Sequence, residues 1–434
     1  RYPTHPRRNL AHYQAGLAYV RLNRAGDAVD HWEAIVKDSA SAPIAERAWS
    51  RAGDLYFQAQ HYDAAKRCYQ GLLDNFAQTE AAGLAMLRMG QCEYNAGDDP
   101  AALQRYSDVI ARFPDSPFAG EAKRGCELSL YRMGQSARGT AELSKLVEQY
   151  PNSPFAADAL FQIAKKDYQA ARYAAAADGF RRVVSQFPSY SAADQAQFLL
   201  ADSYVRSGSQ SEAQAAYEQF VSYFPNSELK PSAEFQLGLM QFQANDYMRA
   251  ALAFTQVLGD SASDEVRAAS RYNLALCQRQ LGQNDDAKAA LLQYRDEHPG
   301  DARAADVAYQ LGDIAEVSGD EATALTEFQR ALASKPIAAL DVEINFRVGR
   351  VLEQQENVDG ALKAYRRAST SPDLRNTYRL SALARCAAIY ESRNQLVQAM
   401  TAYRDIAQNS KDNELAAAAA GRASQLESQG VRKR

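Results

Sequence analysis

One period governs this chain. Gly16, Gly53 and Gly90 stand 37 residues apart. The same step continues through Glu127, Ala164, Ala201, Gly238, Ala275, Gly312 and Gly349, and one extra residue precedes Ala387. A second column lies twelve residues on: Ala28, Ala65, Ala102, Gly139, Ala176, Ala213, Ala250, Ala287, Ala324, Ala361 and Ala399. Four further on comes a bulky column: Trp32, Tyr69, Tyr106, Leu143, Phe180, Tyr217, Phe254, Leu291, Phe328, Tyr365 and Tyr403. Regularity of this kind points to an array of like units, each burying its apolar face against its neighbours.

The columns fit pairs of helices. Small residues in the first two columns let two helix backbones approach closely, and the bulky residue four positions after the second column shares its helix face. Pro114, Pro151, Pro188, Pro225, Pro299 and Pro336 follow that second helix, where Pro cannot continue it. Asn23, Gly97, Gly134, Gly208, Asn245, Gly282, Gly319 and Asn394, seven residues past the first column, suit a left-handed C-cap between the two helices. The links Phe113-Pro114-Asp115-Ser116-Pro117-Phe118 and Tyr150-Pro151-Asn152-Ser153-Pro154-Phe155 place Ser116 and Ser153 as N-caps with Pro at the first helical position. Repeat four departs from the pattern with Glu127 and Gly139. Repeat seven replaces the Pro with Gly259-Asp260-Ser261-Ala262-Ser263-Asp264, the candidate bend.

Composition narrows the function class. Net charge is -4, whereas a nucleic-acid binder is usually basic. No run of 18 apolar residues suggests a transmembrane helix. The chain opens at Arg1 with neither Met nor an apolar leader, which leaves room upstream for a removed targeting segment, a lipid anchor or a membrane segment. Chemistry-bearing motifs are missing: no Gly-rich phosphate loop, no His-Glu-x-x-His pair and no Gly-x-Ser-x-Gly elbow occurs. His5, His12, His31, His61 and His298 show no ligand spacing. Cys68, Cys92, Cys126, Cys277 and Cys386 have no close pair and read as buried free thiols. No catalytic, cofactor or metal residue is expected.

The Gly/Ala, Ala, aromatic and Pro columns resemble the tetratricopeptide repeat, whose usual period is about 34 residues. The resemblance implies an all-α, right-handed superhelical solenoid. Residues 1–8 then form an N-terminal tail, residues 9–412 about eleven helix-turn-helix repeats, residues 413–428 a capping helix and residues 429–434 a basic tail. The links between residues 113 and 227 resemble those of an envelope subgroup that includes the outer-membrane-barrel assembly lipoprotein D and the periplasmic coordinator of the Tol–Pal system. The subgroup resemblance implies a non-catalytic scaffold in the periplasm or at the outer membrane. A cytoplasmic adaptor, or an accessory subunit of a cell-wall or polysaccharide enzyme, would use the same fold.

The family resemblance also implies that the first helix of each repeat lines a concave groove. Residues three before and four after the first column tend to point into it. Those positions supply Phe57, Tyr94, Tyr131, Phe161, Tyr168, Phe198, Phe235, Phe242, Tyr272, Tyr309 and Phe346, then the acidic Glu316, Glu353 and Glu391. The expected ligand is another protein or a peptide segment, with apolar anchors against the first seven repeats and Lys or Arg against the acidic stripe. The same aromatics suit packing between repeats, and the same acids suit a solvated face. A clamp for a terminal carboxylate would need converging cations and amides, and Arg124, Lys165 and Asn273 are too dispersed for one.

Overall fold

The computed structural model describes residues 5–40, 42–136 and 138–432, with side chains to residue 429. Part of each expected tail, residues 1–4 and 433–434, therefore lies outside the described residues. The described residues form helices and no strands, and the chain divides into two compact units, Arg1–Phe220 and Val221–Arg434. The first unit holds α1 (Arg8–Arg21), α2 (Ala25–Asp38), α3 (Pro43–Gln58), α4 (Tyr62–Phe76), α5 (Glu80–Asn95), α6 (Asp99–Arg112), α7 (Ala119–Gly134), α8 (Thr140–Gln149), α9 (Ala156–Gln169), α10 (Tyr173–Gln186), α11 (Ala193–Ser207) and most of α12 (Gln210–Tyr223). The second holds α13 (Lys230–Gln243), α14 (Tyr247–Gly259), α15 (Asp264–Gln280), α16 (Asn284–Glu297), α17 (Ala304–Val317), α18 (Glu321–Ala333), α19 (Ala338–Gln354), α20 (Val358–Ser369), α21 (Thr377–Ser392), α22 (Leu396–Asn409) and α23 (Asn413–Arg432). The division falls inside α12 and not at the Gly259–Asp264 link. That link is fastened: Lys230 Nζ meets Asp260 Oδ2 at 2.5 Å, and Ser263 caps α15.

The three columns make the hairpins. All ten alanines of the second column are fully buried, and so are Phe180, Tyr217, Phe254, Leu291, Phe328 and Tyr365 of the third. Burying one such side chain contributes about 1.5–3 kcal/mol. The first column seats the third. A Cβ on Gly53 would lie 2.6 Å from the Tyr69 ring, on Gly238 2.6 Å from Phe254, and on Gly349 2.5 Å from Tyr365. Glycine is thus required by close approach of a ring, not by backbone conformation.

The turn between the helices is a Schellman motif. In α1, Arg24 N–H donates to Tyr19 O while Asn23 N–H donates to Val20 O, and Asn23 sits at φ 58°. Equivalent left-handed residues occur at Gly97, Gly208, Asn245, Gly282, Gly319 and Asn394, as the sequence predicts. Gln60, Ala171 and Glu356 adopt the same conformation without the residue type that favours it.

Two local expectations are corrected. Repeat four has no cap at Gly134, because α7 runs on to that residue and Leu143 packs where a Gly134 side chain would stand, 2.3 Å from its Cβ position. Glu127 there is buried and accepts a hydrogen bond from Ser153 Oγ at 2.9 Å. Ser116 and Ser153 are not N-caps either. Each sits in a turn, with Ser116 Oγ donating to Phe113 O, and α7 and α9 begin three residues later at Ala119 and Ala156.

Candidate functional site

The predicted groove residues sit where the fold constrains them most. Those four after the first column lie in the last turn of each first helix. The carbonyls of Phe57, Tyr94, Tyr168, Phe242, Glu316, Glu353 and Glu391 each accept from the left-handed residue of the turn, which fixes the backbone from which the side chain projects. Phe161 is buried, and the other ten aromatics are half-buried, with one part of the ring in the core.

The aromatics three before the first column pack on third-column rings or close neighbours. Phe161 meets Phe180 at 5.6 Å between centroids, Phe198 meets Tyr217 at 5.6 Å, and Phe235 meets Phe254 at 5.8 Å. Tyr272 meets Tyr294 at 5.9 Å, Tyr309 meets Phe328 at 6.1 Å, and Phe346 meets Tyr365 at 5.8 Å. Aromatic pairs at such spacings stabilise the hairpin beyond their area.

The tyrosines four after the column tie one first helix to the next. Tyr131 stacks on Phe155 at 4.8 Å and donates its hydroxyl to Asp158 at 2.5 Å, and Tyr190 donates to the same carboxylate at 2.6 Å. Burial, with Asp158 beside it, pushes the Tyr131 phenol up to about 12, so it stays a donor. Tyr168 donates to Asp202. Tyr94 lies under the Arg132 guanidinium, 3.6 Å from its ring centre, and Arg132 also grips Asp99. Phe57 and Phe242 pack on Tyr62 and Tyr247 at 5.9 and 5.3 Å.

The acidic stripe is not a free negative surface. Glu316 pairs with Arg347 at 3.0 Å and Arg350 at 3.4 Å, Glu353 pairs with Arg385, and Glu391 with Arg422. Arg422 holds the Glu391 carboxyl below its ordinary value. Neighbouring Asp313 is buried between Arg279 and Arg347, each at 2.7 Å. Each carboxylate is neutralised by a guanidinium from the following helix pair or from α23. Sequence reasoning missed these partners, although the signal was present: Arg347, Arg385 and Arg422 follow the three glutamates by 31, 32 and 31 residues.

One place does bring predicted residues together around open space. A cavity of about 470 Å³ is lined by Phe57 of α3, Arg88, Gln91 and Tyr94 of α5, and Arg124 and Leu128 of α7. Three successive first helices thus converge there. Leu128 stands 37 % exposed at its edge. A smaller cavity of about 350 Å³, on α9, is lined by Asp158, Phe161, Gln162, Lys165, Lys166 and Gln169.

Two of the histidines meet in space. His12 and His31 face each other across α1 and α2, with their Nδ1 atoms 2.8 Å apart. Among the described residues no group of three or more His, Cys, Asp or Glu side chains is arranged to hold a metal ion. All five cysteines are buried and free, and burial pushes the Cys68, Cys92 and Cys277 thiols up to about 12. Among the described residues no helix is long and apolar enough to cross a membrane.

Comparisons with known proteins address the repeat itself. A model described as a tetratricopeptide repeat-like domain matches residues 189–342, and two tetratricopeptide repeat models match residues 50–117 and 128–153. No curated protein matches the sequence. Among solved structures, the chain is similar to yeast Tom70, at 13% identity over 97% of this chain and 96% of that one, with a TM-score of 0.37. It is also similar to a chain of the APC/C hetero-tetramer Cut9-Hcn1, at 13% identity over 96% of each chain and a TM-score of 0.39. YrrB, a TPR protein with an unusual peptide-binding site, is 17% identical over 46% of this chain and 94% of its own, with a TM-score of 0.38. Repeat models of one family together cover more than half of the 434 residues: the chain belongs to the tetratricopeptide-repeat family.

Proposed function

We propose that this chain is a non-catalytic scaffold of the bacterial cell envelope, and that it binds segments of other proteins along the first helices of its repeats. The cavity between α3, α5 and α7 carries this reading. It is concave and rimmed by Phe57, Tyr94 and the exposed Leu128, and three successive repeats build it. Aromatic and aliphatic anchors in such a recess are where binding energy concentrates. The remaining predicted aromatics contribute chiefly to packing between helices, and the three glutamates to ion pairs between repeats. The envelope assignment rests on the Phe113–Phe118 and Tyr150–Phe155 links.

A photo-reactive residue in place of Leu128, with a matched one in place of the exposed Gln104 on α6, tests the reading in the native cell. A discrete protein adduct from position 128 alone, recovered in the envelope fraction, is expected. Equal labelling from both positions, or none from 128, would refute the groove. An adduct recovered only with soluble cytoplasmic protein would leave the groove standing and remove the envelope.

A further inference from the structure

The side chains lining the two first-unit cavities carry more positive than negative charge: Arg88, Arg124, Lys165 and Lys166 against Glu121 and Asp158. Two carboxylates near the cavities are ion-paired, Asp99 with Arg132 and Glu93 with Arg105 at 3.5 Å, whereas Glu121 accepts only from Gln91 Nε2 at 2.7 Å and Asp158 only from neutral donors, two of them tyrosine hydroxyls. Among the described residues none of the four cations has a carboxylate partner, and Lys166 donates to the carbonyls of Gly134 and Ser136. Arg88 donates to the amide oxygen of Gln91 and lies over the Phe57 ring at 5.6 Å, with no carboxylate partner. Arg124 and Lys165 are exposed, and neither is in an ion pair or hydrogen bond among the described residues. Arg88 and Arg124 line the larger cavity, and Lys165 lines the smaller one on α9.

We infer that the first unit recognises an acidic, extended segment of a partner protein. One bulky apolar side chain of that segment enters the recess between Phe57, Tyr94 and Leu128, and flanking Asp or Glu side chains face Arg88, Arg124 and Lys165. The inference rests on the groove reading above and names its ligand. It also reverses the charge expected from the sequence, because Glu316, Glu353 and Glu391 have no carboxylate left for a basic partner. The cations are spread over α5, α7 and α9, so they fit carboxylates distributed along a segment and not a single terminal one. Apolar contact with the recess supplies affinity, and the cations supply orientation and association rate.

Selection of a random twelve-residue phage-displayed peptide library on the folded full-length chain tests this. Enrichment of sequences with an apolar residue flanked by Asp or Glu is expected. A fluorescein-labelled synthetic copy of the most enriched sequence should bind at least tenfold more weakly to Arg124→Glu/Lys165→Glu. The same copy should also weaken severalfold between 50 and 200 mM salt, as screening of exposed charges requires. Both substituted side chains are exposed and make no internal bond, so thermal unfolding of the double variant should match the parent. Leu128→Ala should weaken binding with its salt dependence unchanged. Enrichment of basic or uncharged sequences, or binding that ignores the charge reversal, overturns the acidic ligand and leaves the groove intact. Failure to enrich any sequence overturns the acidic ligand as well. The cross-linking result at position 128 then decides whether the groove falls with it.

Discussion

Replacing Gly349 by Ala sets two effects of known sign against each other. Gly349 lies inside α19, where Ala is favoured over Gly by about 0.8–1.0 kcal/mol on intrinsic propensity. The added Cβ, however, would stand 2.5 Å from Cδ1 and Cε1 of Tyr365, where carbon atoms prefer roughly 3.5–4.0 Å. Tyr365 has nowhere to go. It is fully buried, and its hydroxyl donates at 2.8 Å to Glu353 Oε2, a carboxylate that Arg385 also grips. Relief means opening the α19–α20 hairpin, and overpacking of this kind costs about 1–3 kcal/mol. The repeats that carry Ala at this position show what it takes. Ala275 faces the smaller Leu291, Ala164 is matched by Gly179 beside Phe180, Ala201 is followed by a Tyr217 whose hydroxyl has no partner, and the Tyr403 that packs near Ala387 is only half-buried.

Packing should therefore win, with a net loss of up to about 2 kcal/mol. For a unit of about two hundred residues, each kcal/mol shifts the melting temperature by about 2–4 °C. Gly421→Ala is the control, since nothing lies within 4 Å of a Cβ at that helical position and propensity acts alone. Calorimetry should show Gly349→Ala melting lower than the parent and Gly421→Ala at or above it. Hydrogen exchange should place the Gly349→Ala loss in α19 and α20. If the two variants shift together upward, the ring-seating role of the first column is wrong.

Three further outcomes follow from the same geometry. Arg347→Leu strips a guanidinium from Asp313, Glu316 and Glu343, and Arg279 remains to hold Asp313. A loss of about 2–3 kcal/mol in denaturant unfolding of the second unit is expected, and a loss under about 0.5 kcal/mol would mean the network is ornamental. Ala171→Gly should stabilise by about 1 kcal/mol, because Ala171 holds φ 57° at a turn where the left-handed conformation is strained for any side chain; equal or lower stability in urea melts would refute the strain. The third concerns pH. Burial, then His31 and Arg8, lower the His12 pKa below 6.5 despite the opposing Asp38. The unfolded chain thus binds more protons just below pH 6.5, and stability present above that value is lost as pH falls through the window beneath it. Hydrogen exchange of residues 8–38 should quicken from pH 7 to pH 5 in the parent and lose that pH dependence in His12→Gln, after correction for intrinsic exchange.

Helix pairs, buried columns and most turns are legible in the sequence because each depends on residue types that recur at one spacing. What is not legible has a physical reason in each case. Gln60, Ala171 and Glu356 take the left-handed turn because the hairpins on either side impose it, so propensity alone cannot find them. Gly134 looks like a cap and is a packing site, since the same residue type serves either need and only the position of Leu143 distinguishes them. His12 and His31 meet because they lie on facing sides of two paired helices, nineteen residues apart, a spacing that no ligand motif uses.

The acidic stripe is the most instructive failure. Read down one column, Glu316, Glu353 and Glu391 form a negative face, but a repeat array is two-dimensional. The neighbour of a side chain four past the first column is one two before that column in the next helix pair, which is where Arg347 and Arg385 stand. Charges in such an array must be summed across adjacent helices before any is assigned to a ligand. Done that way, Glu316, Glu353 and Glu391 cancel against Arg347, Arg385 and Arg422, and Arg88, Arg124 and Lys165 remain without a carboxylate partner beside the first unit's cavities. Exposed cations near an aromatic recess attract a different partner from the one a single column implies. The sign of a groove is therefore a property of the pairing between repeats, and a charge reversal at Arg124 and Lys165 is a more discriminating probe of it than any change at the glutamates.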